Sequence, residues 1–222
     1  MLAAVTSSPS PAEVSPAELS PADAWQRLAD GNRRFVSGQS QHPNQDAARR
    51  TALVNEQHPF AVIFGCSDSR LAAEIIFDVG LGDVFVIRTA GQVIDDAVLG
   101  SLEYSVAVLA VPLIVVLGHD SCGAVTATRD AVDSGEMPTG FIRDLVERIT
   151  PSVLTAKRGG HQDLPSMIDE HVRQTAARLG DNSRVIAEAV EAGRTAVVGV
   201  SYHLEDGSGV VVSTTTPLTT PA

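Results

Sequence analysis

The sequence predicts a single doubly wound α/β domain built on a mostly parallel sheet. Four short runs carry that reading: "PFAVIFGC" (59–66), "DVFVIR" (83–88), "PLIVVLG" (112–118) and "TAVVGVSY" (195–202). Each is apolar without alternation, which marks a strand covered on both faces, as in a parallel sheet. Helix-patterned segments separate them, and strands alternating with helices are the signature of doubly wound folds. The turn signal "DGSGV" after Leu204 and the β-branched "VVVST" add an antiparallel edge strand.

The elements follow in order. Residues 1–19 are rich in Ser, Pro and Ala, a composition that reads as a disordered lead-in. They lack the basic start and apolar centre of a signal peptide. The domain is expected over 20–215, with 216–222 as a flexible tail. Its first helix has Ser20 as N-cap and Pro21 in the first turn. Ala24, Trp25, Leu28 and Phe35 fall near helical spacing, so that helix packs on something. "SRLAAEIIFDVGLGD" reads as a short helix stopped by Gly80, and "IDDAVLGSLEYSVAVLA" as a strong amphipathic helix. A further helix starts at "CGAVTATRDAVDSG", and 137–193 is mostly helical, most clearly in "RQTAARLGDNSRVIAEAVEAG".

A chain of 222 residues with net charge -11 presents a surface that repels phosphate backbones. Nucleic acid and anionic membranes are therefore not expected partners. No apolar run approaches the about 18–20 residues of a membrane span. Two cysteines are too few for a disulfide scaffold and suit a reducing, cytoplasmic setting.

Those two cysteines sit at informative places. Cys66 ends the first strand, while His119 and Cys122 follow the third in "GHDSCG". Doubly wound sheets bind ligands beyond the carboxyl ends of their strands, where the strand order reverses. If the first and third strands are neighbours, the three side chains meet there. Two thiolates and an imidazole suit zinc and leave a fourth position open. Unreactive buried thiols, or a Cys66–Cys122 disulfide, are the other readings of the same residues.

"CSDSR" (66–70) with "GHDSCG" (118–123) closely resembles the β-class carbonic anhydrases, in their bacterial, plant-like subgroup. The likeness runs on through "FVIRTAGQVI" and "GSLEYSVAVLAVPLIVVLGH", over about residues 20–215. It implies a lyase that hydrates carbon dioxide reversibly to bicarbonate and a proton, using one zinc per chain and its bound hydroxide. Cys66, His119 and Cys122 become the zinc ligands. Asp68 and Arg70 become the dyad beside the metal: paired, the carboxylate orients the nucleophile; unpaired, it can close the fourth position. Gln57, Phe85, Tyr104 and the Gly123 amide are the implied substrate-side groups. A homodimer or homotetramer is implied, with the helix around Trp25 and Phe35 packing on a partner subunit. Ile63 stands where one subgroup has the Trp of a non-catalytic bicarbonate site, so that form of inhibition is not expected. Thr89 and Gln92 depart from the Asn residues common nearby.

A zinc with two thiolates acidifies water less than one with three imidazoles, so activity is expected to favour alkaline pH. His42, His58, His161, His171 and His203 read as surface residues, none assignable as a proton shuttle. Two other functions fit the same ligands: a related zinc hydrolase acting on carbon disulfide, and a non-catalytic, zinc-stabilised oligomeric protein.

Overall fold

Five strands form one sheet in the order β2-β1-β3-β4-β5 in the computed structural model of the chain, which describes residues 19–216 and residue 218. β1 (Ala61–Cys66), β2 (Val84–Thr89), β3 (Leu113–His119) and β4 (Ala196–Tyr202) are parallel. β5 (Gly209–Thr214) joins β4 antiparallel at one edge. The expected doubly wound sheet is therefore observed, including its antiparallel edge. The expected lead-in lies outside the described residues except for Leu19, and most of the expected tail does too.

Every residue of β1, β3 and β4 is buried, which is why their sequences do not alternate. Alternate side chains enter two separate cores. Ile63, Val115, Leu117 and Val198 pack with α1 (Pro21–Val36), α5 (Gly123–Ser134) and α6 (Ile142–Arg158) on one face. Val62, Phe64, Ile114, Val116 and Val197 pack with α4 (Asp96–Ala107), α7 (Leu164–Asn182) and α8 (Arg184–Glu191) on the other. Each such side chain contributes about 1.5–3 kcal/mol by leaving water. Ile63, fully buried, is simply a core residue.

Ser20 caps α1, its hydroxyl accepting from the Asp23 amide at 3.1 Å. The sequence reading set the Trp25 side of this helix on a partner subunit; that side chain lies within the chain itself. Trp25 and Leu28 are buried in this chain's own core, and the Phe35 ring lies against Gly207. The Asn32 amide ties the helix to Ile76 and Gly207 carbonyls, at 3.2 and 2.8 Å. After a short α2 (Ala47–Ala52), the chain enters β1.

Three helical expectations gain detail or change. The helix expected up to Gly80 is a single turn, α3 (Ala73–Ile76). It ends early because Asp78 adopts φ 45 and uses its carboxylate on the Gln41 and His42 amides and Arg34. The mostly helical stretch over 137–193 resolves into α6, α7 and α8, the last two divided at Ser183, whose extended backbone caps α8 through the Ile186 amide. Its hydroxyl donates to Glu103 at 2.7 Å. Finally, α4 is less amphipathic than expected. Val98, Leu102 and Val106 face inward, but Ala97, Gly100, Tyr104, Ala107 and Val108 are exposed, so its outer face is nearly uncharged.

Candidate metal centre

β2 lies on one side of β1 and β3 on the other, so the strand order reverses between β1 and β3. That junction is the ligand-binding crevice of doubly wound sheets. Cys66 is the last residue of β1, and His119 the last of β3. The chain then turns through Ser121, at φ 54, and places Cys122 as the N-cap of α5. One donor atom from each of Cys66, His119 and Cys122 lies within 4.8 Å of the others, and all three residues are buried. Residues separated by more than fifty positions meet because their strands are neighbours.

The donor set fits a cation. His119 is fully buried, yet neither ring nitrogen has a hydrogen-bond partner, which a native interior rarely tolerates. Both cysteines are free thiols, so the disulfide reading fails. The neighbouring Cys122 thiol lowers the Cys66 pKa well below the ordinary thiol range, against burial, with help from His119 and the Gly91 amide. The same contact and burial push Cys122 far up. The bare pair thus shares one proton, and a thiolate-binding metal would displace it.

Asp68 stands beside the cluster, its Oδ2 3.9 Å from His119 Nε2. Arg70 grips its carboxylate through Nε at 2.9 Å and Nη2 at 2.8 Å, and the Arg70 amide adds a bond at 3.0 Å. The Arg70 hydrogen bond, against some burial, holds the Asp68 carboxyl well below the usual carboxylate range. The dyad is therefore made, with the carboxylate turned to the guanidinium.

Among the described residues, three that the sequence reading noted without a supporting role stand around the site. Arg88 Nε donates to the Cys66 carbonyl at 3.0 Å and its Nη2 to the Asp68 carbonyl at 2.6 Å, pinning the segment that carries both. An arginine closing an apolar strand was the available signal. The Ser67 amide donates to the Thr89 carbonyl at 2.9 Å, and the Thr89 hydroxyl to the Val93 carbonyl at 2.8 Å. Thr89 thus holds the neighbouring turn. Gln92 follows at φ 41, buried, with Oε1 unpartnered.

The substrate-side candidates separate. Gln57 and Tyr104 share an open groove of about 760 Å³, with Leu53, Val54, Leu81 and Leu109 among its walls, and the three metal-site residues are not in its lining. The Phe85 ring lies 6.3 Å from the Tyr104 ring, tilted 38°. Gly123 opens α5 beside Cys122, and a Cβ there would meet open space.

A sequence profile of carbonic anhydrases matches residues 61–209. The chain belongs to the carbonic anhydrase family. It is 59% identical to the carbonic anhydrase of Mycolicibacterium smegmatis, over 83% of this chain and 89% of that one. The β-carbonic anhydrase CafA of Aspergillus fumigatus superposes with TM-score 0.66 at 25% identity, covering 85% of this chain and 90% of that one. A chain from the crystal structures of two tetrameric β-carbonic anhydrases of Sordaria macrospora shares the fold, at TM-score 0.66 and 21% identity, over 85% of this chain and 96% of that one. As a β-class carbonic anhydrase, the protein is a zinc-dependent lyase that hydrates carbon dioxide. Neither the carbon disulfide hydrolase nor the non-catalytic zinc protein is favoured.

Proposed function

We propose that Cys66, His119 and Cys122 hold the catalytic zinc and that Asp68 and Arg70 govern access to it. The observation that carries this is the pair of unpartnered nitrogens on a fully buried His119, set between two free thiols. Zinc, when bound, lowers the pKa of a water molecule and so supplies the nucleophile for carbon dioxide. Asp68 offers a fixed carboxylate acceptor beside the ligands, aimed by Arg70, while Arg88 holds its backbone in place. Gly123 leaves room at the start of α5 for a small substrate.

Asp68 is ionised across the working range, because Arg70 holds its pKa below the ordinary value. A lowered carboxyl pKa means the charged dyad is lost only in acid, below the usual range. The dyad therefore does not set a rise in rate above neutrality. Hydration measured by stopped flow should climb from neutral to alkaline pH with one zinc per chain. A zinc-loaded protein with a flat profile from pH 6 to 9 would contradict a two-thiolate site.

We further infer that the groove and the outer face of α4 are covered by a second copy of the chain. Val54, Leu81, Tyr104 and Val108 are exposed there, and the space above Gly100 is open. Apolar surface gathered in this way marks an interaction site. The tetrameric Sordaria macrospora proteins of the same fold support assembly. In that assembly Gln57, Phe85 and Tyr104 would reach a substrate pocket from the interface. Val108→Asp should shift sedimentation towards monomer; an unchanged sedimentation coefficient would place the interface elsewhere. The two free, buried thiols support a reducing cytoplasmic setting. No helix among the described residues is long and apolar enough to cross a membrane.

A further inference from the structure

Gly91 touches the metal centre at one end and a buried histidine at the other. Its amide donates to Cys66 Sγ at 3.2 Å. Its carbonyl lies 2.7 Å from His171 Nε2. The residue adopts φ 64 and ψ 27, the left-handed region that favours glycine. A Cβ there would come within 2.8 Å of Ala124 and 2.9 Å of Ile149. The turn is therefore wedged against α5 and α6, and the Gly91 φ and ψ set the direction of its amide relative to the carbonyl that His171 holds.

His171 corrects the sequence reading, which placed it at the surface. It is 2% exposed, on the inner face of α7 with Met167, Ile168, Val172 and Thr175. Burial lowers its pKa to about 4, so the ring is neutral and offers one donor and one acceptor. A carbonyl only accepts, so Nε2 carries the hydrogen and donates to Gly91. Nδ1 is then the acceptor, and the Ser152 hydroxyl lies 3.0 Å away. That hydroxyl is also 3.1 Å from Gln174 Oε1. It has one hydrogen, and Gln174 Oε1 already faces Arg178 Nη2 at 3.5 Å. Among the described residues no other donor reaches the ring nitrogen, so the hydrogen goes to it. The result is a directed chain: Ser152 to His171, His171 to the Gly91 carbonyl, the Gly91 amide to Cys66 sulfur.

We propose that His171 is a positioning residue for the zinc site: it holds the Gly91 carbonyl and so fixes the left-handed turn at Gly91, which aims the amide on the other side of its Cα at the Cys66 sulfur. The proposal rests on Cys66, His119 and Cys122 being the zinc ligands. A hydrogen bond to a ligating thiolate withdraws charge from the sulfur and fixes its direction. Outer partners of this kind typically change metal affinity about 10–100-fold when removed. An apolar residue would satisfy the packing of α7 at this position but would leave the Gly91 carbonyl buried without a donor.

The test compares His171→Leu, which removes the donor, with His171→Gln, whose side-chain amide can replace Nε2. Leu179→Ala, on the same face of α7 about two turns away, controls for simple loosening. Two readouts do not depend on turnover: zinc affinity by competition with a chromophoric chelator, and the thiolate-to-metal absorption band of cobalt-substituted protein. His171→Leu should bind zinc about 10-fold more weakly or worse and shift the band. His171→Gln should recover both, and Leu179→Ala should keep both despite melting earlier. If His171→Leu does not fold, Ser152→Ala replaces it and should move both readouts in the same direction. Wild-type affinity and an unmoved band in the donor-less variant would overturn the proposal. So would an equal loss in Leu179→Ala. A wild-type protein that binds no zinc would instead overturn the ligand assignment itself.

Discussion

Cys66→Ser and Cys122→Ser proteins will purify with most of their zinc missing and with hydration activity reduced by more than about 100-fold. A serine hydroxyl stays protonated at neutral pH and is a poor zinc ligand, whereas a thiolate is a strong one. Replacing a ligand should exceed the about 10–100-fold cost of altering an outer partner. The two variants should also differ before metal is added. Cys66 is the thiol that ionises readily in the bare cluster, through its Cys122 neighbour and the Gly91 amide. Cys66→Ser removes that thiol, whereas Cys122→Ser keeps it beside a hydroxyl that can still donate to its sulfur, so only the Cys122 variant should keep a readily formed thiolate. Absorbance near 240 nm in metal-free protein follows the thiolate. Stoichiometric zinc with full activity in either variant would eliminate the assigned ligands.

The second large effect concerns the dyad. Arg70→Ala and Asp68→Ala should both keep zinc, since three ligands remain, and both should be slower by about 100-fold, the scale of a misplaced reacting group. Their causes differ. Arg70→Ala strips two of the three hydrogen bonds from the Asp68 carboxylate and leaves only the residue-70 amide. The Asp68 backbone cannot follow, because Arg88 holds its carbonyl at 2.6 Å. The carboxylate is then free to turn towards the cation, and Oδ2 already lies only 3.9 Å from His119 Nε2. Asp68→Ala has no carboxylate to close the site. Thiocyanate titration of cobalt-substituted protein separates them: the Asp68 variant should bind the anion tightly and the Arg70 variant weakly. Equal, tight binding would show that Asp68 does not compete for the metal.

The strands and the ligand cluster were legible in the sequence for one physical reason. β1, β3 and β4 are buried on both faces, so their apolarity is continuous and their ends are sharp. Cys66 and His119 mark two of those ends. The helical misreadings come from backbone chemistry that propensity does not carry. Asp78 stops α3 because its carboxylate serves Gln41 and His42 amides, a contact across more than thirty positions. The mostly helical reading of 137–193 holds, with Ser183 dividing α7 from α8 by capping the second. His171 was misplaced because its neighbours Glu170 and Arg173 look solvated. Its spacing from Met167 and Ile168 held the correct signal. Gln57 and Tyr104 could be named from the resemblance, and they line one groove whose walls do not include Cys66, His119 or Cys122.

The placement of Cys66 and His119 at the ends of two adjoining central strands has a consequence for the protein's lifetime. The unfolded chain has no such arrangement, so free zinc draws the population towards the native form by mass action. At a free concentration of about 100 times the dissociation constant, that pull is about 2.7 kcal/mol. Metal supply would then act as a dial on turnover by cellular proteases, which sample the opened chain. Under zinc starvation the pool of enzyme would shrink as well as lose its cofactor, and abundance and activity would fall together.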